Sequence, residues 1–255
     1  MPKLHFIKQG QGPAVVLSHA LGCDLGMWDA TADLLAAGHA VLRYDHRGHG
    51  QSEVVPGPCS IEDMADDAAA LIAAQFDGPV HFVGLSMGGM VAQQIAVRHP
   101  ELVASIVVAN SSSCYDAAAR GMWRARMDTV LKLGMTAISE AAMQRWFTPE
   151  FRADVHGRER VAALRAVLER TDAKAYAAAC DAVSRIDFVR TNPLIACPAL
   201  VIAGTRDEAT PPAMSEAICK SVSGAKLASL DAAHLSAVER PGEFARLVAQ
   251  FIGGL

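Results

Sequence analysis

The sequence predicts an α/β fold with a mostly parallel central sheet flanked by helices and an all-helical insertion. Short, near-continuous apolar runs alternate with helical patterns, which is typical of a parallel sheet buried on both faces. The alternation stops between residues 115 and 186, where only helical periodicity remains. The length of 255 residues suits one domain of this kind with an inserted subdomain.

Six apolar runs are predicted as strands, and each ends in a polar or glycine-rich turn. They cover residues 14–18, 40–44, 80–84, 105–109, 199–204 and 225–230, and the first residues of the chain are also strand-like. Helices are predicted over 63–76, 88–99 and 241–251. The last of these begins with Pro241, at a helix position where the missing N–H costs nothing.

The insertion at 115–186 contains four helical patterns, at 122–133, 135–146, 158–170 and 173–185. The core domain is then formed by residues 1–114 together with 187–255. Open parallel sheets bind ligands at the carboxyl ends of their strands. We therefore expect the insertion to be a lid over that edge of the sheet.

Composition excludes several classes of partner. The net charge is only −4 and the basic residues are dispersed, so neither nucleic acid nor an anionic membrane surface is predicted to bind. The apolar runs are too short to span a bilayer, and no signal peptide is recognisable. The six scattered cysteines are typical of reduced thiols. We expect a cytoplasmic protein that acts on a small molecule; its oligomeric state stays open, a homo-oligomer included.

The turn from Gly84 to Gly88 carries the G-x-S-x-G pattern, with Ser86 at its centre. It follows a predicted strand and opens a predicted helix. In this context it resembles the nucleophile elbow of α/β-hydrolases, where a strained turn exposes a serine hydroxyl and needs small flanking residues. The alternative is a glycine-rich turn whose serine only caps the helix.

A serine nucleophile needs a base, and the base needs a carboxylate that orients it. In α/β-hydrolases the acid and then the histidine follow the serine along the chain. His234, after the last predicted strand, is therefore the candidate base. Asp207, on the loop after the strand at 199–204, is the favoured acid, with Glu208 and Asp231 as competitors.

Two backbone N–H groups are predicted to stabilise the oxyanion that forms when the serine attacks. One belongs to Met87, directly after the nucleophile at a helix N-terminus. The other belongs to Leu21, in the turn after the first apolar strand.

No metal or cofactor is predicted. The segment at 45–50 contains Asp45, His46 and His49, but no further ligand cluster accompanies it, so we interpret it as a structural turn. The chain also has no G-x-G-x-x-G pattern after a strand, and a dinucleotide is therefore not implied.

The chain resembles the α/β-hydrolases along its whole length, on residues 19–22, 44–52, 84–89, 204–207 and 233–234. Residues 21–29, 55–60 and 144–149 resemble one subfamily, the 3-oxoadipate enol-lactonases of the β-ketoadipate pathway. The last segment lies in the insertion, where families of this fold diverge. One position departs from the subfamily: His19 stands where these lactonases often carry an asparagine.

The resemblance implies a cofactor-free hydrolase that opens a five-membered unsaturated lactone bearing an acetate side chain. In that picture Trp146 packs on the ring and Arg145 pairs with the carboxylate. The alternatives are a lid-core role for Trp146 and a solvated surface charge for Arg145. A generic carboxylesterase or perhydrolase with the same triad is the competing function, and a ligand-binding receptor on a hydrolase scaffold is a more remote one.

Overall fold

The computed structural model describes residues 2–255, and within them a seven-stranded sheet forms the centre of the molecule. In spatial order the strands are β1–β3–β2–β4–β5–β6–β7. β1 is antiparallel to β3, and all other neighbouring pairs are parallel. The strands are β1 Phe6–Gln9, β2 Ala14–Ser18, β3 Ala40–Tyr44, β4 Val80–Leu85, β5 Val103–Ala109, β6 Ala199–Gly204 and β7 Lys226–Leu230.

Eleven α-helices connect or follow these strands within the described residues. They are α1 Asp29–Leu35, α2 Ile61–Gln75, α3 Met87–Arg98, α4 Ala117–Leu133, α5 Thr136–Trp146, α6 Pro149–Ala153, α7 Val155–Arg170, α8 Ala173–Ser184, α9 Pro212–Ser221, α10 Ser236–Glu239 and α11 Pro241–Gly253. The mostly parallel central sheet flanked by helices, predicted from the sequence, is confirmed.

The order of the strands creates a crevice beside β2. The chain passes from β2 to β3 on one side and then returns to β4 on the other side of β2. Strand order therefore reverses between β2 and β4, and such switch points open a ligand site at the carboxyl ends of the strands. Most residues of the central strands are buried, as Val16 in β2 and Phe82 in β4 illustrate.

Helices α4 to α8 follow one another between β5 and β6 without an intervening strand. The two ends of this segment meet at an isolated antiparallel bridge between Cys114 and Asp187. The Phe188 N–H also donates to the Ser113 carbonyl at 2.7 Å. The helices thus leave and rejoin the sheet at one place.

Several helices begin earlier than the sequence patterns predict, because polar caps precede the apolar periodicity. Asp116 accepts from the Ala119 N–H, so α4 starts at Ala117 rather than at 122. Ser60 and Asp63 form a capping box that starts α2 at Ile61. Asp154 likewise caps α7, and α6 was not predicted.

All six cysteines are free thiols, with Cys114 exposed and Cys197 and Cys219 partly exposed. No helix within residues 2–255 combines the length and the apolarity needed to cross a membrane.

Candidate active site

Ser86 lies on the sharp turn between β4 and α3, with backbone angles φ 58° and ψ −116°. This left-handed conformation is strained for a residue with a side chain. Two close contacts between backbone segments stabilise this conformation. A Cβ atom added at Gly84 would overlap the Gly88 carbonyl, and a Cβ atom added at Gly88 would overlap the Ser18 carbonyl. The Ser86 side chain does not cap α3. The geometry therefore favours an exposed nucleophile over a simple helix cap.

The structure brings Ser86, His234 and Asp207 together from three separate parts of the chain. The His234 Nε2 atom lies 2.9 Å from the Ser86 Oγ, and its Nδ1 lies 2.9 Å from the Asp207 Oδ2. Ser86 can donate to Nε2 while Nδ1–H donates to the carboxylate, which is the arrangement that general-base catalysis requires.

Hydrogen bonds surround the Asp207 carboxylate, which is almost completely buried. Its Oδ1 accepts from the backbone N–H groups of Ala209 and Thr210, and its Oδ2 accepts from the Thr210 hydroxyl at 2.7 Å. Burial alone would raise the pKa of Asp207. The charge and hydrogen bond of His234, aided by Thr210 and Asn110, outweigh burial and lower this pKa to about 2.

The two competing carboxylates do not contact His234. Glu208 is exposed. Asp231 has a side chain 70% exposed and lies 3.9 Å from Arg240. Of the three candidates, only Asp207 faces the imidazole.

Asn110, at the carboxyl end of β5, was not predicted as a site residue. Its Nδ2 donates to the Asp207 Oδ2 at 2.9 Å and to the Ala233 carbonyl at 3.3 Å, and its Oδ1 accepts from the Ser236 hydroxyl at 2.6 Å. It is fully buried and has a φ of 47°. The asparagine thus links the acid to the loop on either side of the histidine. Its position directly after a buried strand is the signal that could have identified it.

The predicted oxyanion donors, Leu21 and Met87, both line the cavity that contains the Ser86 hydroxyl. Within residues 2–255 neither backbone N–H donates to a protein acceptor, so both are free to bind a ligand oxygen. Met87 is the first residue of α3, where the helix dipole adds positive potential.

His19 holds the turn that carries the Leu21 N–H. Its Nε2 accepts from the His46 N–H at 2.9 Å, so Nδ1 carries the proton and donates to the Ala20 carbonyl at 2.8 Å. That carbonyl and the Leu21 N–H belong to one planar peptide unit and point in opposite directions. Fixing the carbonyl therefore fixes the direction of the N–H.

A cavity of about 390 Å³ lies between Ser86 and the helices of the 115–186 segment. Arg145 and Trp146, from the end of α5, both line it. Trp146 is nearly buried, and its carbonyl accepts from the Leu235 N–H at 3.0 Å, directly beside His234. Arg145 is half-buried at the cavity wall, which does not match a solvated surface charge.

Tyr115, Trp123 and Arg126 are among the other side chains that line the same cavity, and none of the three was predicted as a site residue. The Tyr115 and Trp123 rings pack edge to face at 5.9 Å, and the Arg126 guanidinium lies 5.1 Å from the centre of the Trp123 ring. The helical periodicity places Trp123 and Arg126 on a helix but does not say which face of that helix meets the sheet.

The turn after β3 is organised around the Asp45 carboxylate. It accepts from the backbone N–H groups of Leu25 and Gln51 and lies 2.8 Å from the His5 Nδ1. A carboxylate satisfied in this way supports interpreting the segment as a structural turn. Residues 2–255 contain no group of three or more side chains placed to ligate a metal.

The chain is similar to known proteins along most of its length. The model of a family described as the alpha/beta hydrolase fold matches residues 13–241. 3-Oxoadipate enol-lactonase 2 of Acinetobacter baylyi is 35% identical over 236 residues, which make up 92% of this chain and 87% of that protein.

Solved structures show the same similarity. An enol-lactonase from Burkholderia xenovorans LB400 superposes with a TM-score of 0.94 at 34% identity, covering 99% of this chain and 97% of that one. A thermophilic esterase from Thermogutta terrifontis superposes with a TM-score of 0.92 at 28% identity, covering 99% and 94% of the two chains.

Proposed function

The chain belongs to the α/β-hydrolase family and hydrolyses lactones or esters, and from this premise we propose that it opens 3-oxoadipate enol-lactone to 3-oxoadipate in the degradation of aromatic compounds. The observation that carries the proposal is the hydrogen-bonded triad of Ser86, His234 and Asp207 at the edge of a small cavity. Its two N···O distances, from His234 to Ser86 and from His234 to Asp207, are both 2.9 Å.

In the proposed mechanism the Ser86 oxygen attacks the ring carbonyl while His234 takes the hydroxyl proton. Asp207 keeps the imidazole in the required tautomer and stabilises the imidazolium that forms. The negative charge that develops on the carbonyl oxygen is stabilised by the N–H groups of Leu21 and Met87. Because these donors are backbone groups fixed by a helix start and a hydrogen-bonded turn, they need little reorganisation during the reaction.

Collapse of the tetrahedral intermediate breaks the ring C–O bond and expels an enolate that stays attached through the carbon chain. An enolate is less basic than an ordinary alkoxide, so its expulsion demands less of His234 as a general acid. The enolate takes the proton held by the His234 imidazolium and becomes a ketone. The neutral imidazole then takes a proton from a water molecule, whose oxygen attacks the acyl-Ser86 ester and releases 3-oxoadipate. The mechanism uses no metal or cofactor.

The lactone substrate is supported by the 35% identity to an enol-lactonase and by the residues of the cavity wall. Trp146 offers a flat apolar face for an unsaturated ring, and Arg145 offers a guanidinium for the side-chain carboxylate. The proposed substrate is thus a small molecule.

We also propose that residues 115–186 act as a lid on a core formed by 1–114 and 187–255. The lid is hydrogen-bonded to α10, the helix that follows His234. The Thr148 N–H donates to the Glu239 carboxylate at 2.6 Å, and the Thr148 hydroxyl donates to the same carboxylate at 3.1 Å. Because Thr148 lies just beyond the end of α5, a movement of this helix would shift Glu239 and the segment next to His234.

A generic carboxylesterase is the second candidate, favoured by the similarity to the Thermogutta terrifontis esterase. Steady-state kinetics on 3-oxoadipate enol-lactone and on p-nitrophenyl acetate separates the two. We expect the lactone to give the higher kcat/KM by at least an order of magnitude. A higher kcat/KM for the aryl ester would overturn the lactonase proposal and favour the esterase, and tight lactone binding without turnover would favour a receptor.

A further inference from the structure

Arg126 on α4 and Arg145 on α5 are two guanidinium groups that line the same cavity as Ser86. Within residues 2–255 neither of them forms an ion pair with an aspartate or a glutamate. Glu208 is the one carboxylate among the lining residues; it is exposed and pairs with neither arginine.

Some of the other arginines of the same helical segment have acidic partners, and some do not. Arg165 contacts Glu140 at 2.6 Å, Arg170 contacts Asp24 at 2.9 Å, and Arg185 contacts Asp181 at 2.9 Å. The two arginines at the cavity therefore retain free donors where a ligand can reach them.

Holding these two charges together has an electrostatic cost. The pKa of Arg145 is lowered, first by burial and then by the positive charge of Arg126. Like charges that are partly removed from water repel each other and destabilise the fold unless an anion sits between them. An anion bound between the two guanidinium groups would relieve this repulsion. The pair therefore favours an anionic ligand beside Ser86.

The surroundings of Arg126 restrict where its guanidinium can lie. It stacks at 5.1 Å over the Trp123 ring, and its charge acts on the buried hydroxyl of Tyr176 from α8. A guanidinium packed on an aromatic ring loses less side-chain freedom when it binds a ligand. The neighbouring walls are apolar, which strengthens a charge-assisted hydrogen bond.

We propose that Arg126 completes a carboxylate-binding subsite with Arg145, so that the substrate must carry a free carboxylate in addition to the carbonyl that Ser86 attacks. The inference deepens the proposed function, on which it rests, by assigning selectivity for an anionic lactone to two residues on two helices. Arg126 is a specificity-determining residue in this scheme and takes no part in proton transfer.

The test compares two lactones that share the reacting ring. One is 3-oxoadipate enol-lactone, and the other is 5-methyl-2(3H)-furanone, which lacks the carboxylate. The variants are Arg126→Gln, Arg145→Gln and the double variant. Arg124→Gln is the matched control, because Arg124 is an exposed arginine of the same helix that does not line the cavity.

We expect Arg126→Gln to lower the ratio of kcat/KM for the anionic lactone to kcat/KM for the neutral one by about tenfold or more. Most of the loss should appear in KM of the anionic lactone. Arg124→Gln should leave the ratio unchanged. In the double variant the two losses should combine to less than their product, because both arginines hold one carboxylate.

The proposal is overturned if Arg126→Gln leaves the ratio unchanged, or if it lowers kcat/KM for both lactones equally. A second measurement separates this failure from a failure of the lactonase function. Adipate is used as an inhibitor of p-nitrophenyl acetate hydrolysis, which does not depend on the natural substrate. Its inhibition constant should rise about tenfold in Arg126→Gln and stay the same in Arg124→Gln, even if the wild-type protein does not open the lactone. An unchanged constant in Arg126→Gln would contradict the subsite.

Discussion

At the scale of single residues, the proposed reactivity of Ser86 depends on a backbone conformation that closely packed neighbouring backbone holds in place. The residue has a φ of 58°, and its hydroxyl lies within hydrogen-bonding distance of His234 and not of the helix start. The strained turn thus directs the Ser86 Oγ atom toward His234.

Replacing Ser86 by alanine should abolish ester hydrolysis and leave the fold intact. Loss of a triad nucleophile lowers kcat by up to about six orders of magnitude. Turnover of p-nitrophenyl acetate and the circular-dichroism melting curve are the measurements. Near-normal turnover by the pure variant would contradict the role of Ser86.

Asp207→Asn should lower kcat by about four orders of magnitude, because an amide favours the wrong imidazole tautomer. Glu208→Gln and Asp231→Asn are the matched controls, since both carboxylates lie away from His234. If Asp231→Asn or Glu208→Gln proved crippling while Asp207→Asn was silent, the assignment of the acid would be wrong.

Asn110→Asp tests whether Asn110 acts on the acid. The aspartate would still accept from the Ser236 hydroxyl, but it would place a second carboxylate about as close to Asp207 as the amide is now, at 2.9 Å. Two carboxylates this close share one proton, so the pH profile of kcat/KM should gain a step, at the pH where the pair loses that proton, that the wild-type profile lacks. A lower rate with a profile that lacks this step would mean that Asn110 only supports the fold.

At the scale of elements, the junction between β4 and α3 leaves no space for a side chain at Gly84 or at Gly88. The first turn of α3 packs so closely on β2 that Gly88 has no space for a side chain. The start of α3 can then approach the carbonyl group that Ser86 is proposed to attack.

Gly88→Ala should therefore destabilise the protein by about 1–3 kcal/mol and reduce its activity, because the added methyl group would displace the Ser18 carbonyl. Gly242→Ala is the matched control. Gly242 lies exposed in α11 with open space around it, and alanine there should stabilise the helix by about 0.5–1 kcal/mol. Urea unfolding measures the free energy of unfolding of both variants. Equal values for Gly88→Ala and Gly242→Ala would show that the turn between β4 and α3 can shift to accommodate a methyl group.

At the scale of the whole molecule, a cluster of buried histidines ties stability to pH. His19, His46 and His49 are about 1% exposed or less, and the His19 ring lies 4.6 Å from the His46 ring and 5.3 Å from the His49 ring. Burial lowers all three pKa values, that of His49 to about 3, and the positive charge of the neighbouring rings adds to the effect for His46 and His49.

The sign of the effect on stability follows from these pKa values. Below about pH 6.5 an unfolded histidine binds a proton that the folded histidine does not, so the free energy of unfolding falls as pH falls. For His49 the loss continues until about pH 3. Each such histidine removes about 1.4 kcal/mol per pH unit in this window.

Between pH 7.5 and pH 5, we expect the wild-type protein to lose about 2 kcal/mol more stability than His49→Gln does. The exposed His156 provides the matched control, and His156→Gln should follow the wild-type curve. Urea unfolding at four pH values makes the comparison. Parallel curves for His49→Gln and the wild type would contradict the linkage.

Patterns local in the sequence predicted most of the architecture. The apolar runs at 14–18, 40–44 and 199–204 are strands with the same bounds in the structure, because burial on both faces requires a continuous apolar run. The boundaries of α2, α4 and α7 were missed by two to five residues, because their caps are polar and carry no periodicity.

The sequence by itself determined the fold class, the elbow at Ser86, and the residues that could serve as acid and base, because each rests on a short pattern or on chain order. Only the tertiary structure decided that Asp207, and not its neighbour Glu208, meets His234. It alone brought Asn110 to an acid 97 positions away and set Arg126 beside Arg145. The physical reason is that a loop or helix can turn any of several side chains inward, and packing between elements distant in the chain selects which one.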